Sequence, residues 1–244
     1  MCTVTYIPVN GKIIITSNRD EKQWRSPALE PACYNFPSGK ILFPRDSQAG
    51  GTWISLHESG HAVIFLNGGL ARHEPRPPYK KSRGIILLQL ADSANPARIF
   101  SEIALDGIEP FTAIIYQRES LYECVWNGSG KHIHQKDESS PHIWSSVTLY
   151  DGEAIGRRKK WFEDWITLNP ALTQDQVIEF HRTAGDGDPY NDLVMKREGL
   201  VFTVSISSIQ LEEDKGSMKY IDMNNHSQSI REIDIAKAPG ILGS

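Results

Sequence analysis

Alternating apolar and polar residues indicate that the chain begins with a pair of strands. The alternation runs through Thr3–Pro8 and Lys12–Ser17, and Asn10-Gly11 stands between the two segments. Asn-Gly is the strongest short signal for a two-residue type I′ turn, because both residues tolerate a positive φ angle. The pattern therefore predicts a β-hairpin at the N-terminus.

The turn also fixes which residues face each other across this hairpin. With the turn at positions 10 and 11, Cys2 lies opposite Arg19 and Met1 lies opposite Asp20. Directly opposed residues in antiparallel strands are about 5 Å apart. We expect this register to hold unless Pro8 introduces a bulge that shifts the pairing by one residue.

Later apolar runs predict further strands. Thr52–Leu56 and Ala62–Leu66 form a second candidate hairpin, whose second strand is wholly apolar and is expected to be buried on both faces. The other predicted strands are a meander and two C-terminal segments: Phe111–Tyr116, Leu121–Trp126, His132–Gln135, Leu200–Ile209 and Met218–Met223. A polar tail is expected after them.

Capping residues identify the helices more clearly than the apolar pattern does. Asn95–Leu105 begins with an asparagine N-cap followed by proline in the first helical position. Thr173–His181 opens with a Thr-x-x-Gln capping box. Glu153–Thr167 is the third predicted helix, whereas Ser82–Ala91 fits either a helix or a buried strand.

Strands at both ends of the chain with helices between them predict two sheets covered by helices. This is an α+β layered architecture, and we expect it to form one domain over residues 1–244. The proline-rich segment His73–Lys81 is expected to be a surface loop, either a lid or a connector.

Composition and charge exclude several classes of function. The 26 basic and 30 acidic residues give a formal net charge of −4, so the positive surface of a nucleic-acid-binding protein is missing. No stretch approaches the roughly 20 apolar residues that cross a bilayer. Three scattered cysteines favour a reducing cytoplasm over a disulfide framework. His132, His134 and His142 do not supply a complete ligand set for a metal ion, and we expect neither a metal nor a cofactor.

Cys2 carries the most specific chemistry of the sequence. Removal of Met1 would leave a thiol and an amine on one residue. The amine titrates near pH ~8 and the thiol near ~8.5, so at neutral pH the amine can accept the thiol proton. Arg19 beside it would favour the thiolate, and Asp20 would orient the amine. The alternative interpretation is a small residue near the chain end beside a strand-end ion pair.

Several motifs resemble the NRDE, or Transport and Golgi organisation, family. They are Met-Cys-Thr at 1–3, Ser-Asn-Arg-Asp-Glu at 17–21 and Gly-Gly-Thr-Trp at 50–53, followed by Asn67 and Ser82-Arg83-Gly84. The resemblance covers roughly the first third of the chain and is diffuse beyond it, limited to Thr203-Val-Ser-Ile. That family is similar to the choloylglycine hydrolase and penicillin V acylase group of N-terminal-nucleophile enzymes, which implies a four-layer αββα sandwich.

The resemblance also implies roles for individual residues. Cys2 would be the nucleophile, Asp20 the residue near the α-amine, and Asn67 a donor to the oxyanion, while Arg19 matches the NRDE motif. Ser145 or Ser146 stands near the place of a second asparagine, and Arg197 is the candidate for a later arginine of the hydrolases. The residues expected in the substrate pocket are Asn18, Trp53, Ser146 and Arg197.

Two functions follow from these observations. The first is a cysteine-type hydrolase or acyltransferase that acts on a non-peptide C–N bond of a small linear amide or acyl compound. The second is a non-catalytic protein that binds or hands over a small hydrophobic ligand such as haem or a lipid or acyl compound, which the family resemblance implies. Cys2 and its predicted neighbour Asp20 favour the first, whereas the absence of asparagine and arginine at positions where the related hydrolases have them favours the second.

Overall fold

The N-terminal hairpin forms with the predicted register. The structure, a computed structural model, describes residues 3–22, 25–197 and 201–236. Strands β1 (Thr3–Val9) and β2 (Lys12–Glu21) pair without a bulge at Pro8, and Thr3 lies opposite Asn18. The predicted pairs of Cys2 with Arg19 and of Met1 with Asp20 lie outside the described residues.

This hairpin lies within the first of two sheets. Its neighbours are β10 (His142–Ser145), β11 (Lys196–Arg197), β12 (Val201–Leu211), β13 (Lys215–Asp222) and β14 (Gln228–Asp234). The strand order is β10-β1-β2-β12-β13-β14, with the short β11 paired to β12. β12 is antiparallel to β2 and contains an irregularity between Thr203 and Ser205.

The second sheet is a simple meander. Its strands are β3 (Leu29–Phe36), β4 (Gly39–Arg45), β5 (Ile54–His57), β6 (Ala62–Asn67), β7 (Phe111–Gln117), β8 (Ser120–Trp126) and β9 (Lys131–Lys136). They lie side by side in sequence order. The apolar strand β6 is central in this sheet and almost wholly buried, as its sequence predicted.

Four helices accompany the sheets in the described part of the chain. They are α1 (Arg83–Ala91), α2 (Pro96–Glu102), α3 (Gly152–Leu168) and α4 (Gln174–Thr183). Helices α1 and α2 contact strands of the meander sheet, whereas α3 and α4 contact β10, β2 and β12 of the other sheet. The predicted α+β class is confirmed.

The two sheets share a hydrophobic core. Val4, Tyr6 and Ile15 from the first sheet pack in the same buried cluster as Ile41 and Ile64 from the second. On the opposite face of the hairpin, Ile7 and Ile14 pack with apolar residues that include Phe162 of α3 and Phe180 of α4. Alternate residues of β1 and β2 therefore face different neighbours, as expected for strands.

Both capped helices form where their caps predicted them. Asn95 accepts a hydrogen bond from the backbone N–H of Arg98, and Thr173 and Gln176 make the reciprocal bonds of a capping box. The first of these helices ends at Glu102, earlier than predicted. The ambiguous segment before it is a helix, α1, rather than a buried strand.

Some predictions at the level of elements were wrong. The residues after Met223 do not form only a polar tail, because β14 pairs with β13 along seven residues. Strands β3, β4, β10 and β11 have no counterpart among the predicted strands. Among the described residues, no helix is both long enough and apolar enough to cross a membrane.

Candidate functional site

A cavity of about 380 Å³ opens beside the start of the N-terminal hairpin. Its wall contains three of the residues predicted from the sequence, Arg19, Trp53 and Asn67. It also contains the beginning of α1 at Ser82, and Gly51 from the glycine pair before Trp53. The structure thus brings together three sequence motifs that are far apart along the chain.

Arg19 and Asp20 point to opposite faces of β2. Arg19 is on the face that packs toward the meander sheet, where its guanidinium lies 4.5 Å above the ring of Trp53. Asp20 is on the face toward α3 and α4. It accepts hydrogen bonds from the hydroxyl groups of Thr203, at 2.5 Å, and Tyr150, at 3.1 Å. Only Arg19 lines the cavity.

An ion-pair cluster fixes the Arg19 guanidinium at the cavity wall. Its Nη2 atom lies 2.7 Å from the Oδ2 atom of Asp46, and Arg25 approaches the same carboxylate oxygen at 2.9 Å. The other oxygen of Asp46 accepts from the backbone N–H groups of Gln48 and Ala49. Hydrogen bonds and the two arginines hold the pKa of Asp46 below its usual range, although burial opposes them. Asp46 therefore couples Arg19 to the loop before Trp53.

Asn67 ends β6 at the cavity. Its backbone carbonyl accepts a hydrogen bond from the hydroxyl of Ser146, at 2.7 Å. No hydrogen bond joins its side-chain amide to another described residue, so this amide can turn toward a ligand. Ser146 is 1% exposed and also bonds Thr148, so it supports Asn67 from behind.

The Gly-Gly-Thr-Trp and Ser-Arg-Gly motifs meet at a close backbone contact. The N–H of Thr52 donates to the carbonyl of Gly84 at 3.3 Å. A Cβ atom on Gly51 would lie 2.4 Å from the carbonyl carbon of Gly84, and one on Gly84 would lie 2.8 Å from the oxygen of Thr52. Both positions require glycine, because only glycine allows backbones to approach so closely.

Asn18, Ser146 and Arg197, which we predicted to lie in the pocket, do not line this cavity. The fully buried Asn18 amide donates to the carbonyls of His181 and Leu193. Arg197 donates to the carbonyls of Tyr190 and Leu149 and lies on the Asp20 side of the hairpin, 5.5 Å from the ring of Tyr150.

Cys2 lies outside the described residues, so its predicted role stays a prediction. The two other cysteines are unpaired, and burial raises the pKa of both thiols, that of Cys124 to about 12. A raised pKa keeps a thiol protonated at neutral pH and makes it a poor nucleophile. Neither of these cysteines lines the cavity.

Several charged residues of the cavity were not identified from the sequence. They are Glu21, Arg25, Asp46, Lys81, Arg83 and Glu109. Glu21 and Arg83 belong to motifs quoted above, and Asp46 shortly precedes another, so those three had a local signal. Lys81 and Tyr79 show that the proline-rich loop contributes to the cavity wall. Among the residues described, no group of three or more His, Cys, Asp or Glu side chains is arranged to hold a metal ion.

Comparison with known proteins extends the sequence resemblance. A model of the family described as Transport and Golgi organisation 2 matches residues 1–220, far beyond the first third in which we recognised motifs. A search of curated proteins finds no significant match.

Solved structures show the same fold. One is an N-acylethanolamine-hydrolyzing acid amidase ortholog from Caenorhabditis elegans, at a TM-score of 0.61 and 13% identity, covering 85% of this chain and 92% of the other. Another is a mutant conjugated bile acid hydrolase from Clostridium perfringens, at a TM-score of 0.58 and 11% identity. That comparison covers 98% of this chain and 97% of the other. Both have the N-terminal-nucleophile hydrolase fold. At these identities, the similarity shows the fold alone.

Proposed function

Since this chain belongs to the Transport and Golgi organisation 2 family, we propose that it is an N-terminal-nucleophile cysteine hydrolase or acyltransferase. Its nucleophile would be the thiol of Cys2, exposed by removal of Met1. Its substrate would be a small linear amide or related acyl compound. The N-terminal-nucleophile fold supports a hydrolase.

One observation carries this proposal. Thr3, the residue directly after Cys2, lies opposite Asn18 in the hairpin, and the next residue of β2 is Arg19 in the cavity wall. Side chains alternate along a strand, and Val4 and Tyr6 face the meander sheet as Arg19 does. Continued alternation predicts the Cys2 side chain on this same face, close to the cavity.

In the proposed mechanism, the α-amine of Cys2 accepts the thiol proton and the thiolate attacks the substrate carbonyl carbon. The carbonyl oxygen gains negative charge, which the Asn67 amide stabilises together with backbone N–H groups. The C–N bond then breaks and the amine leaving group takes the proton from the α-ammonium. Water attacks the resulting thioester and releases the acid, or a second amine takes the acyl group.

Arg19 and Asp20 have separate roles in this scheme. The guanidinium of Arg19 supplies positive charge on the face predicted for the thiol, which favours the thiolate. The Asp20 carboxylate, held by Thr203 and Tyr150, would orient the α-amine. Arg158 is a fully buried cation close to Thr3 and Tyr150. It donates to the hydroxyl of Thr3, and its guanidinium lies 3.5 Å above the Tyr150 ring.

The hydrophobic-ligand hypothesis receives no support from this cavity. Seven of the side chains that line it are charged, and its main apolar surfaces are Trp53 and Phe65. Burial of an apolar ligand against charged groups would cost desolvation energy without a compensating contact. A polar acyl compound fits this wall better.

We further propose that residues 1–244 form one domain whose layers follow the order helix, sheet, sheet, helix. The contacts of α1 and α2 with one sheet and of α3 and α4 with the other support this order. The core shared by the two sheets supports it as well. A cytoplasmic location remains our proposal from the few scattered cysteines.

Intact mass of the purified protein tests the proposed nucleophile, before and after treatment with a thiol-reactive acylating probe at neutral pH. We expect the mass of Met1 to be missing and one label to be added. Cys2→Ala should abolish the label, and the matched variant Cys33→Ser should retain it. Retention of Met1, or labelling that does not depend on Cys2, would contradict the proposal.

A further inference from the structure

The N-terminus of α1 lies at the cavity without a cap. The Ser82 side chain makes no capping hydrogen bond, and the first turn contains no acidic residue. The backbone N–H groups of Arg83 and Gly84 have no acceptor within the helix, and no other described residue provides one. Ser82, Arg83 and Gly84 all line the cavity. A helix N-terminus in this state attracts an anion.

The excess positive charge of the cavity lies at the same end. Four cationic and three acidic side chains line the wall. The three carboxylates already bind arginines: Asp46 to Arg19 at 2.7 Å, Glu109 to Arg83 at 3.1 Å and Glu21 to Arg25 at 3.5 Å. Lys81 is the fourth cation, is exposed, and makes no ion pair with a described residue. It directly precedes Ser82.

A buried donor in the same wall independently indicates a missing acceptor. The side chain of Trp53 is nearly buried, at 4% exposure, and its indole Nε1 has no hydrogen-bond partner. Buried polar groups are nearly always paired, so an orphaned donor at a cavity calls for an explanation. The backbone N–H of the preceding residue, Thr52, donates to the carbonyl of Gly84 in α1, so Trp53 directly follows a residue bonded to the helix start.

We propose that the cavity recognises an acyl substrate that carries an anionic group, a carboxylate or a phosphate. The anionic group binds the free N–H groups of Arg83 and Gly84 and pairs with Lys81. Another oxygen of the same molecule accepts from Trp53 Nε1, on the side of the cavity where Arg19 lies. The identity of the ligand as an acyl compound rests on the proposed function; the anionic subsite rests on α1, Lys81 and Trp53.

Calorimetric titration of the Cys2→Ala variant tests this inference without turnover. The probes are N-butanoylglycine, N-butanoylethanolamine phosphate and the neutral N-butanoylethanolamine, at low ionic strength. We expect at least one anionic probe to bind about tenfold more tightly than the neutral one. The stronger of the two identifies carboxylate or phosphate as the group. Equal affinities for all three probes, or no binding of any, would overturn the inference.

Two substitutions locate the subsite. Lys81→Ala should lower the affinity for the anionic probe several-fold. The matched variant is Lys80→Ala, because Lys80 is the adjacent exposed lysine and lies outside the cavity wall. It should leave that affinity unchanged. Ser82→Asp supplies the missing cap as a carboxylate. The substitution should raise the unfolding temperature. It should also lower the affinity for the anionic probe by about tenfold and leave the affinity for the neutral probe unchanged. Unchanged affinity in a more stable Ser82→Asp protein would overturn the inference.

The two proposals fail in distinguishable ways. If Cys2 proves unreactive while the Cys2→Ala protein still prefers anionic probes, the proposed enzyme is wrong and the anionic subsite stands. If Cys2 is processed and reactive while all probes bind equally, the enzyme stands and the subsite is wrong.

Discussion

Asn67 is the residue whose proposed role is easiest to separate from folding. Its backbone is fixed by β6 and by the hydroxyl of Ser146. Its side-chain amide has no hydrogen-bond partner among the residues described and borders the cavity. A donor that folding does not use is free for a developing oxyanion, so its removal affects the reaction more than the fold.

Asn67→Ala should therefore lower kcat by about 10²–10³-fold, because one oxyanion donor is worth about 3 kcal/mol in the transition state. The free energy of unfolding should change by less than about 0.5 kcal/mol, as for surface substitutions away from structural contacts. Steady-state kinetics on an amide that the wild type hydrolyses measure kcat, and urea unfolding measures the free energy of unfolding.

Asn35→Ala is the matched control for this prediction, because Asn35 is an exposed asparagine on β3, outside the cavity. It should change neither quantity appreciably. Full activity in Asn67→Ala, or equal losses in both variants, would remove Asn67 from the proposed mechanism.

At the scale of single residues, the sequence indicated which side chains matter better than where they meet. Arg19, Trp53 and Asn67 were predicted and line one cavity. Asn18 was predicted from its place in a motif, but strand alternation turns it toward His181. The ion pair of Arg83 with Glu109 joins two segments that no local sequence pattern relates. It could be identified only from the folded structure.

At the scale of elements, α4 shows how a local cap supports the site from a distance. Its N-cap Thr173 and Gln176 bond each other reciprocally. The helix carries His181, whose ring nitrogens bond Asn18 at 2.6 Å and Thr5 at 2.8 Å. Asn18 directly precedes Arg19 on β2, and Thr5 lies on β1 two residues after Thr3. The cap thus stabilises a helix that packs directly on the proposed catalytic hairpin.

Thr173→Ala should reduce the free energy of unfolding by about 1 kcal/mol, the usual cost of losing an N-cap. For a chain of this length, the unfolding temperature should fall by about 2–4 °C. Differential scanning calorimetry measures both.

Thr183→Ala makes the same chemical change at the other end of the same helix. The Thr183 hydroxyl only donates to the carbonyl of Glu179, and the residue is exposed. We expect a smaller loss there. If the two variants lose the same stability, the capping box has no special role.

Elements with local signals were predicted well, and those defined by distant partners were not. The Asn-Gly hairpin and the capped helices are specified by a few consecutive residues at the turn or at the cap. Strands β3 and β4 contain Pro31 and Pro44, which weaken a strand prediction. Most of β14 is polar and exposed, so only its pairing with β13 makes it a strand.

At the scale of the whole molecule, buried neutral histidines tie stability to pH. Burial lowers the pKa of His61 to about 4, and burial together with the charge of Arg158 lowers that of His181 to about 3. The first lies between Ser59 and the carbonyl of Ala91, and the second between Asn18 and Thr5. Protonation of either ring would place a positive charge in the buried interior, where its desolvation is unfavourable.

The free energy of unfolding should therefore fall as the pH decreases from about 6.5, the unfolded pKa of histidine, toward 4. In that range the unfolded chain binds more protons than the folded protein, so the slope against pH is positive. Each histidine contributes up to about 1.4 kcal/mol per pH unit, and above pH 6.5 the contribution is nearly constant. Urea unfolding at a series of pH values measures the slope.

Carboxylates also contribute to an acid slope, so the comparison of variants carries the test. His61→Gln should flatten the slope between pH 6.5 and 4, because glutamine does not titrate. His226→Asn, at an exposed turn residue with a φ of 59°, should leave it unchanged. An identical slope in the wild type and in His61→Gln would show that His61 does not set the acid response.

The polar strand β14 lies at one edge of the first sheet. It is the last strand on its side of the first sheet among the described residues, and its outer backbone groups could pair with a strand of another molecule. Arg231 and Glu232 lie along it, each in an ion pair with a neighbouring strand. Charged side chains on an edge strand disfavour intermolecular pairing. The segment predicted as a polar tail is thus an edge strand whose charged side chains are of the kind that disfavours pairing between molecules.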